Sequence, residues 1–318
     1  MIDLSISIVN TSNWKYLEPC LRAIINNVHD IHYEILVVDN VSDDGSQEKI
    51  KEFFPEVILT INSQRYGFAK NNNINLRKGS GRYLMLLNDD TLVQPGSIDC
   101  AIKFLDENPG VGMVGCKMIS PDGSFQLSSA RRFRTLWSTL LSETGIRNRF
   151  IHHPLLDQDF IKVKTDDQVV EVDLPQESGM VVRRDVLDDV GLLDEQFFMF
   201  GEGADWCRRI KQAGWKIVFL AGCPITHYGG VTNKRSSIRM FIQHYKSIYL
   251  YFNKESKVNG EFYRLIIILL YTVKSFIGRL IALTNIRRNE VDLGNEYYGA
   301  VLDLMLFRLD DPTYPFPT

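Results

Sequence analysis

The chain has 318 residues and a net charge of −3, with 45% hydrophobic and 24% charged residues. That balance excludes an intrinsically disordered, collagenous or coiled-coil chain and leaves room for roughly two domains. Five cysteines, Cys20, Cys100, Cys116, Cys207 and Cys223, are widely spread without a C-x-x-C pair, which argues against a disulfide framework or a zinc ribbon and fits a reducing cytosol.

The opening MIDLSISIVNTSNW has neither a basic stretch nor a long apolar one, so no secretory signal is expected. Leu4–Asn10 reads as a strand, and the spacing of Leu17, Cys20, Leu21 and Ile24 predicts a helix over 16–27. Residues 33–39 (YEILVVD) form a second strand. A polar turn over 40–47 follows, then a short helix to Phe54 and a third strand over 57–62. A helix over 67–78, a fourth strand over 83–88 and a helix from Pro95 to Pro109 complete an alternating pattern. Alternation of this kind implies an α/β fold with a mostly parallel central sheet and right-handed crossovers. Ligands of such sheets sit beyond the carboxyl ends of the strands, where Asp39 and Asp89-Asp90 fall. Residues 122–176 are less regular, and the stretch from His152 to Gln168 reads as a long loop. A short strand, 216–221, precedes Pro224-ITHYGG.

Charge is unevenly distributed. Residues 231–290 carry +8, residues 291–318 carry −4, and the first 230 carry −7. The basic segment, from Lys234 to Arg288, contains the longest uncharged apolar run, Leu265–Val273, which is too short to span a bilayer needing about 20 apolar residues. It reads either as a helix lying on an anionic membrane surface or as a helix packed on the body. An acidic body without a basic groove argues against nucleic-acid binding.

Three acidic clusters carry the chemistry: Asp39-Asn40-x-Ser42-x-Asp44, Asn88-Asp89-Asp90, and a stretch from Asp194 through Glu202-Gly203-Ala204-Asp205. Carboxylates at strand ends suit a hard divalent cation that shares its oxygen shell with substrate phosphates. A lone His227 follows Pro224. Gly79-Ser80-Gly81 precedes its strand instead of following one, so the phosphate turn of a dinucleotide-dependent oxidoreductase is missing.

The stretches SISIVNTSNWKYLEPCLRAI, ILVVDNVSDDGS, YGFAKNNNIN, YLMLLNDDTLVQPG, VGMVGCKMISPDGSFQLSSARRF, ESGMVVRRDVLDDVGLLDEQFFMFGEGADWCRRIKQAGWKI and THYGG occur in this order. Together they resemble the family 2 inverting glycosyltransferases, especially the branch of bacterial rhamnosyltransferases of surface-polysaccharide assembly, over about residues 3–255. The resemblance implies a GT-A nucleotide-sugar-binding fold over 1–230, with a donor half (1–120) and an acceptor half (121–230), followed by a helical region over 231–318. It implies a nucleotide-sugar donor, UDP- or dTDP-linked, and a glycan or lipid-linked saccharide acceptor met on the inner face of the cytoplasmic membrane. It also implies that Asp39 contacts the base, that Thr11 and Asn13 line the same pocket and that Asn72 faces the nucleotide. Asn88-Asp89-Asp90 takes the place of the metal-binding D-x-D motif, with Asp90 as the ligand for Mg²⁺ or Mn²⁺ and His227 completing the site. Otherwise His227 is a hydrogen-bonded histidine at a strand end. Ser178-Gly179 resembles the small-residue turn under the acceptor, or is simply a tight turn.

One departure stands out. Relatives read Glu-Asp-x-Asp where this chain reads Glu202-Gly203-Ala204-Asp205, so the acid that takes the acceptor's proton is missing. Glu202 is the nearest replacement as general base, and Asp205 is either a second candidate or a helix-opening residue. A non-catalytic sugar-nucleotide-binding relative is the alternative that Gly203 leaves open.

Overall fold

The computed structural model describes residues 1–144, 159–163, 165, 167–229, 238–282, 288–311 and 314. The expected loop over 152–168 lies mostly outside them, as do Lys234 and Arg235. Two compact units emerge. The first comprises Met1–Phe133, Gln158–Glu195 and Glu202–Val231, and the second Arg134–Asp157, Gln196–Gly201 and Thr232–Thr318. Two segments from within the expected 1–230 body therefore belong with the carboxyl-terminal helices.

The first unit opens with β1 (Leu4–Asn10), α1 (Trp14–Asn27), β2 (Tyr33–Asp39), α2 (Ser46–Phe53), β3 (Ile58–Ile61), α3 (Phe68–Lys78) and β4 (Tyr83–Asn88). It continues with β5 (Thr91–Val93), α4 (Ser97–Glu107), β6 (Val111–Ile119) and β7 (Ala130–Arg131). Helix α5 (Leu136–Glu143) belongs to the second unit. The first resumes with β8 (Val169–Glu171), β9 (Leu174–Pro175), β10 (Gly179–Arg183), α6 (Arg184–Val190), α7 (Glu202–Gln212) and β11 (Lys216–His227). The main sheet runs β3-β2-β1-β4-β10-β6-β11-β5, with β8 added on β11. Strands β1, β2, β3, β4, β6 and β11 point one way, and β5, β8 and β10 the other. The sheet is thus mostly parallel, as the alternating pattern predicts.

Period-two alternation splits the core between the faces of the sheet. Leu4, Ile6 and Ile8 of β1 pack with Tyr83, Met85 and Leu87 of β4 against α1 and α4. Leu84 and Leu86 face the other way, toward Leu76, Trp206 and Ile210 of α3 and α7. On that second face β1 presents Ser5 and Ser7, and α3 answers with polar groups of its own. Asn75 Nδ2 lies within hydrogen-bond distance of Ser7 Oγ (3.1 Å), Ile8 O (3.2 Å) and Leu36 O (3.0 Å). Asn62 Nδ2 donates to Asn71 Oδ1 (2.7 Å), and Asn73 Nδ2 donates to Leu193 O (2.9 Å). Asparagine is a mediocre helix former. Its run in α3 is held by these partners, not by intrinsic propensity.

Strand β11 is longer than the sequence suggests. It passes through Pro224 to His227, with its register to β6 slipping between Leu220 and Pro224. A proline is tolerated at such an irregularity, where no ladder N–H is required of it. Beyond the slip, His227 pairs with Thr91 of β5. Cys100 and Cys223, remote in sequence, bring their sulfurs to 2.6 Å.

In the second unit, α5 was not expected within the irregular region. Thr135 Oγ1 accepts from Ser138 N (3.0 Å) and Ser138 Oγ accepts from Thr135 N (3.1 Å), a capping box in which serine replaces the usual Glu or Gln. Helices α8 (Ile238–Glu255), α9 (Lys257–Ala282) and α10 (Arg288–Asp303) follow. Glu143, at the end of α5, explains the grouping: its carboxylate accepts from Tyr245 (2.7 Å) and Tyr271 (3.1 Å), and its carbonyl from Lys274 Nζ (2.8 Å). Burial and the Glu143 charge raise the Tyr271 phenol well above its ordinary value.

Replacing Asn75 by alanine strips the sheet of a donor shared by three acceptors. Loss of a buried hydrogen-bond partner costs about 1–3 kcal/mol. Urea unfolding of Asn75→Ala should show a lower midpoint at unchanged slope, and an unchanged midpoint would deny α3 this anchoring role.

Candidate active site

Parallel register brings three strand ends to one level. Asn10 lies beside Asp39, and Val9 beside Asn88. Asp39 is fully buried, and its oxygens accept from Asn10 Nδ2 (2.9 Å), Ser42 N (3.0 Å) and Gln47 Nε2 (2.7 Å). These bonds close the 40–47 turn and hold Val41 at φ 61°, a conformation a β-branched residue adopts only under constraint. Thr11 lies beside Asn40, whose amide also donates to Tyr66 O (3.1 Å). The backbone N–H of Asn13 donates to Asn10 Oδ1 (3.2 Å).

Asn72 is 2% exposed, accepts from Ser7 Oγ (2.8 Å) and donates to Phe68 O (3.0 Å). Both ends of its amide are engaged between α3 and β1, so it braces the helix against the strand beneath the strand ends.

The second cluster is strongly polarised. Asn88 O accepts from Thr91 Oγ1 (2.7 Å), which tightens the turn between β4 and β5. Burial, reinforced by the Asp90 charge, pushes the Asp89 carboxyl up to about 8, against a smaller opposing pull from the Asn13 amide. Nδ2 of Asn13 makes no hydrogen bond of ordinary length. His227 Nε2 lies 3.3 Å from Asp90 Oδ1, while Tyr228 N donates to Asp90 O (3.0 Å). On its far side His227 Nδ1 is 2.9 Å from both Gln126 Oε1 and Gln176 Nε2, and Gln126 Nε2 donates to His227 O (2.7 Å). With Nδ1–H donating to Gln126, Nε2 directs its lone pair beside Asp90. In that tautomer a cation beside the two acceptors would be favoured; in the other, which donation from Gln176 Nε2 to Nδ1 selects, Nε2–H donates to Asp90.

One carboxylate and one imidazole suit Mg²⁺ or Mn²⁺, and the buried Asp89 carboxyl, whose proton burial retains, would ionise more readily beside a cation. Among the described residues no three His, Cys, Asp or Glu side chains form a ligand cluster. An ion held at Asp90 and His227 would therefore need most of its ligands from outside the protein, such as diphosphate oxygens and water.

The third cluster opens α7. Glu202 is 4% exposed. Asp205 accepts from Arg209 Nε (2.9 Å), one helical turn on, and Arg209 Nη2 donates to Leu192 O (2.8 Å). Asp205 thus orients an arginine that ties α7 to the preceding loop. Gly203 is crowded: a Cβ there would fall 2.4 Å from Glu177 Oε1. Ser178, next in the chain, is buried between Glu177 and β10, and its carbonyl faces Asn88 N at 3.5 Å. Gln126, Gln176 and Glu177 were not singled out from the sequence, because each becomes notable only through a partner at least 26 positions away.

Asp89 gives the metal-free site a pH signature. Its folded-state pKa lies above the unfolded value of 3.8, so the unfolded chain releases its proton first as pH rises. Stability from this group is complete below about pH 4 and is lost as pH climbs toward 8. In excess chelator, Asp89→Asn should gain stability over the unsubstituted protein between pH 5 and 8 in denaturant titrations. A difference independent of pH would refute the assignment.

Residues 5–165, just over half the chain, match the family described as Glycosyl transferase family 2. The N-acetylglucosaminyl-diphospho-decaprenol L-rhamnosyltransferase of Mycobacterium tuberculosis strain H37Rv is 26% identical over 68% of this chain and 73% of its own length. Rhamnosyltransferase WbbL of Escherichia coli K12 is 26% identical over 77% of this chain and 91% of its own. Among solved structures, mannosyltransferase PcManGT from Pyrobaculum calidifontis, in complex with GDP-Man and Mn²⁺, superposes with a TM-score of 0.56 at 16% identity, covering 96% of this chain and 87% of that one. S. aureus TarS 1–349, in complex with UDP-GlcNAc, superposes with a TM-score of 0.53 at 15% identity, over 96% and 83%. The fold is GT-A, and the chain belongs to glycosyl transferase family 2.

Proposed function

We propose that this glycosyltransferase moves a sugar, with inversion, from a nucleoside diphosphate donor to a hydroxyl of a lipid-linked saccharide, with rhamnose from a dTDP-linked donor as the first candidate. Support for the sugar comes from the names of the relatives above. The observation that carries the chemistry is the meeting of Asp90 and His227 at 3.3 Å, where the end of β11 pairs antiparallel with β5 just beyond the turn that follows β4.

A divalent ion held there would offset charge building on the departing diphosphate. Gln126 and Gln176 hold the His227 ring from its Nδ1 side, and with Nδ1–H donating to Gln126 Oε1 the Nε2 lone pair would face the ion beside Asp90. Asn88 and Asp89 line the same turn. Asp39 shapes the loop that receives the nucleoside, and Thr11 and Asn13 form its wall. Carboxylates near the head of α7, where Glu202 and Asp205 lie, serve the acceptor hydroxyl. Transfer makes the bond from acceptor oxygen to the anomeric carbon as the carbon–phosphate oxygen bond breaks, and the hydroxyl proton needs a base at hand.

The test is release of nucleoside diphosphate from a panel of UDP- and dTDP-sugars with Mn²⁺ and a GlcNAc-diphospho-polyprenol acceptor. Asp90→Ala and His227→Ala should each lower transfer by at least about a hundredfold and remove the Mn²⁺ dependence of donor binding. Full activity in excess chelator would contradict the cation's role, and binding of donor without turnover by the unsubstituted protein would favour the non-catalytic alternative.

We also place the protein on the inner face of the cytoplasmic membrane, through α9. Among the described residues no helix is long and apolar enough to cross a membrane. Within α9, Tyr263, Ile267 and Tyr271 are buried, while Val258, Phe262, Leu265, Leu269, Val273, Phe276 and Leu280 are exposed. Their spacing of three and four residues forms one continuous outward stripe. The cations contribute less than their number suggests. Lys274 donates to Glu143 O within the unit, and Arg264 to Met305 O (2.7 Å). A buried leucine or phenylalanine is worth about 1.5–3 kcal/mol and a cation near an anionic leaflet about 1 kcal/mol, so apolar insertion dominates. Paired Leu265→Glu and Leu269→Glu substitutions should abolish flotation with anionic liposomes, whereas Lys274→Ala should leave it nearly intact. Failure of the unsubstituted protein to float at low salt would sink this placement.

A further inference from the structure

We infer that Glu177 is the general base of the transfer reaction, standing in space that Gly203 leaves open at the head of α7. This inference rests on the glycosyl-transfer reading above and names the residue that reading left unassigned.

Gly203 and Glu177 are complementary. A Cβ built on Gly203 would meet Glu177 Oε1 at 2.4 Å, Cγ at 2.5 Å and Cδ at 2.9 Å. Real Cβ atoms do not approach neighbours that closely, so residue 203 stays a glycine while Glu177 holds this position. The 2.4 Å separation is also the distance between Cβ and a carboxylate oxygen within an aspartate side chain. Glu177 therefore holds a carboxylate oxygen as close to that Cβ position as an aspartate's own would be. The acid absent from the helix arrives from the loop between β9 and β10.

Three carboxylates compete for the role. Asp205 is 6% exposed and bound by Arg209, one turn along its helix. Glu202 is 4% exposed. The Glu177 side chain is 29% exposed, and its nearest cationic partner is Arg131 Nη2, at 3.7 Å from Oε2. Among the described residues, no hydrogen bond engages either Glu177 oxygen. A base must reach an acceptor arriving from outside and have a lone pair to give it. Only Glu177 combines access with an uncommitted oxygen.

Its place in the chain links it to the donor end. Gln176, its neighbour, touches His227 Nδ1 (2.9 Å), and Gln176 Oε1 accepts from Ser128 Oγ (2.7 Å). His227 in turn faces Asp90. Two successive residues thus serve both reacting partners: Gln176 steadies the histidine on the diphosphate side, and Glu177 presents a carboxylate on the acceptor side. In the step itself, the acceptor O–H proton passes to Glu177, the oxygen bonds to the anomeric carbon, and the carbon–phosphate oxygen bond breaks with its electron pair leaving on the nucleoside diphosphate.

The experiment uses the full chain with Mn²⁺, the donor of the panel above that the unsubstituted enzyme turns over, and GlcNAc-diphospho-polyprenol. Glu177→Gln should lower kcat by about 10²–10⁴-fold, the usual share of general acid–base catalysis, with KM for donor and calorimetric binding of Mn²⁺ and nucleoside diphosphate unchanged within about twofold. Relocation gives a second, positive readout. Glu177→Ala with Gly203→Asp should recover at least about tenfold in kcat over Glu177→Ala alone, because the acid returns from the helix side. The inference is overturned if Glu177→Gln keeps kcat within about threefold of the parent, or if Glu202→Gln shows the full loss while Glu177→Gln does not. No turnover of any donor by the unsubstituted enzyme would instead defeat the transfer reading itself and this inference with it.

Discussion

Parallel strands that end together leave unpaired backbone and abrupt turns at one level, and every buried polar group there must find a partner. Carboxamides and one carboxylate answer that demand here. Asp39 fastens Asn10 to Ser42 and Gln47, Asn40 joins Thr11 to Tyr66, and Asn62 bridges Asn40 and Asn71. Below them Asn72 and Asn75 tie α3 to the serine face of β1. With the strand ends braced in this way, the loops that follow hold strained conformations such as that of Val41, and Asp89 and Asp90 are fixed close together despite their repulsion.

That repulsion organises the chemistry. Two adjacent carboxyls in a desolvated turn favour protonation of one of them, and the Asp89 shift expresses this cost. A cation bound beside them would reverse the balance. His227 reaches the same point because β11 passes its own register slip at Pro224 and pairs with β5, so a histidine more than a hundred residues away in sequence becomes a neighbour of Asp90. Two glutamines behind the ring, Gln126 and Gln176, both reach Nδ1 and hold the imidazole in place.

Much of this was legible in the sequence. The elements through α4, apart from the short strand β5, follow from apolar periodicity and turn residues, and the ordered motif stretches identified the family. The rest depends on partners that spacing alone does not reveal. That Asn72 also braces β1, through a hydrogen bond from Ser7, 65 residues away, is invisible in the motif that contains it. Helix α5 was hidden because its capping box uses Ser138 at the position where Glu or Gln is the usual sign. Lys274 belongs to the basic segment, and only the structure shows it turned onto the Glu143 carbonyl. Gly203 read as a missing acid, and the reason for the glycine became visible only with Glu177 against it.

The central claim is that Asp90 and His227 together hold the ion on which the donor diphosphate rests. Pulsed electron paramagnetic resonance of Mn²⁺ with dTDP or UDP, on protein carrying ¹⁵N-histidine, tests it directly. The account predicts a directly coordinated histidine nitrogen coupled to the manganese, abolished by His227→Ala, with phosphorus coupling from the diphosphate in the same complex. Manganese bound with phosphorus coupling and no histidine nitrogen would contradict it.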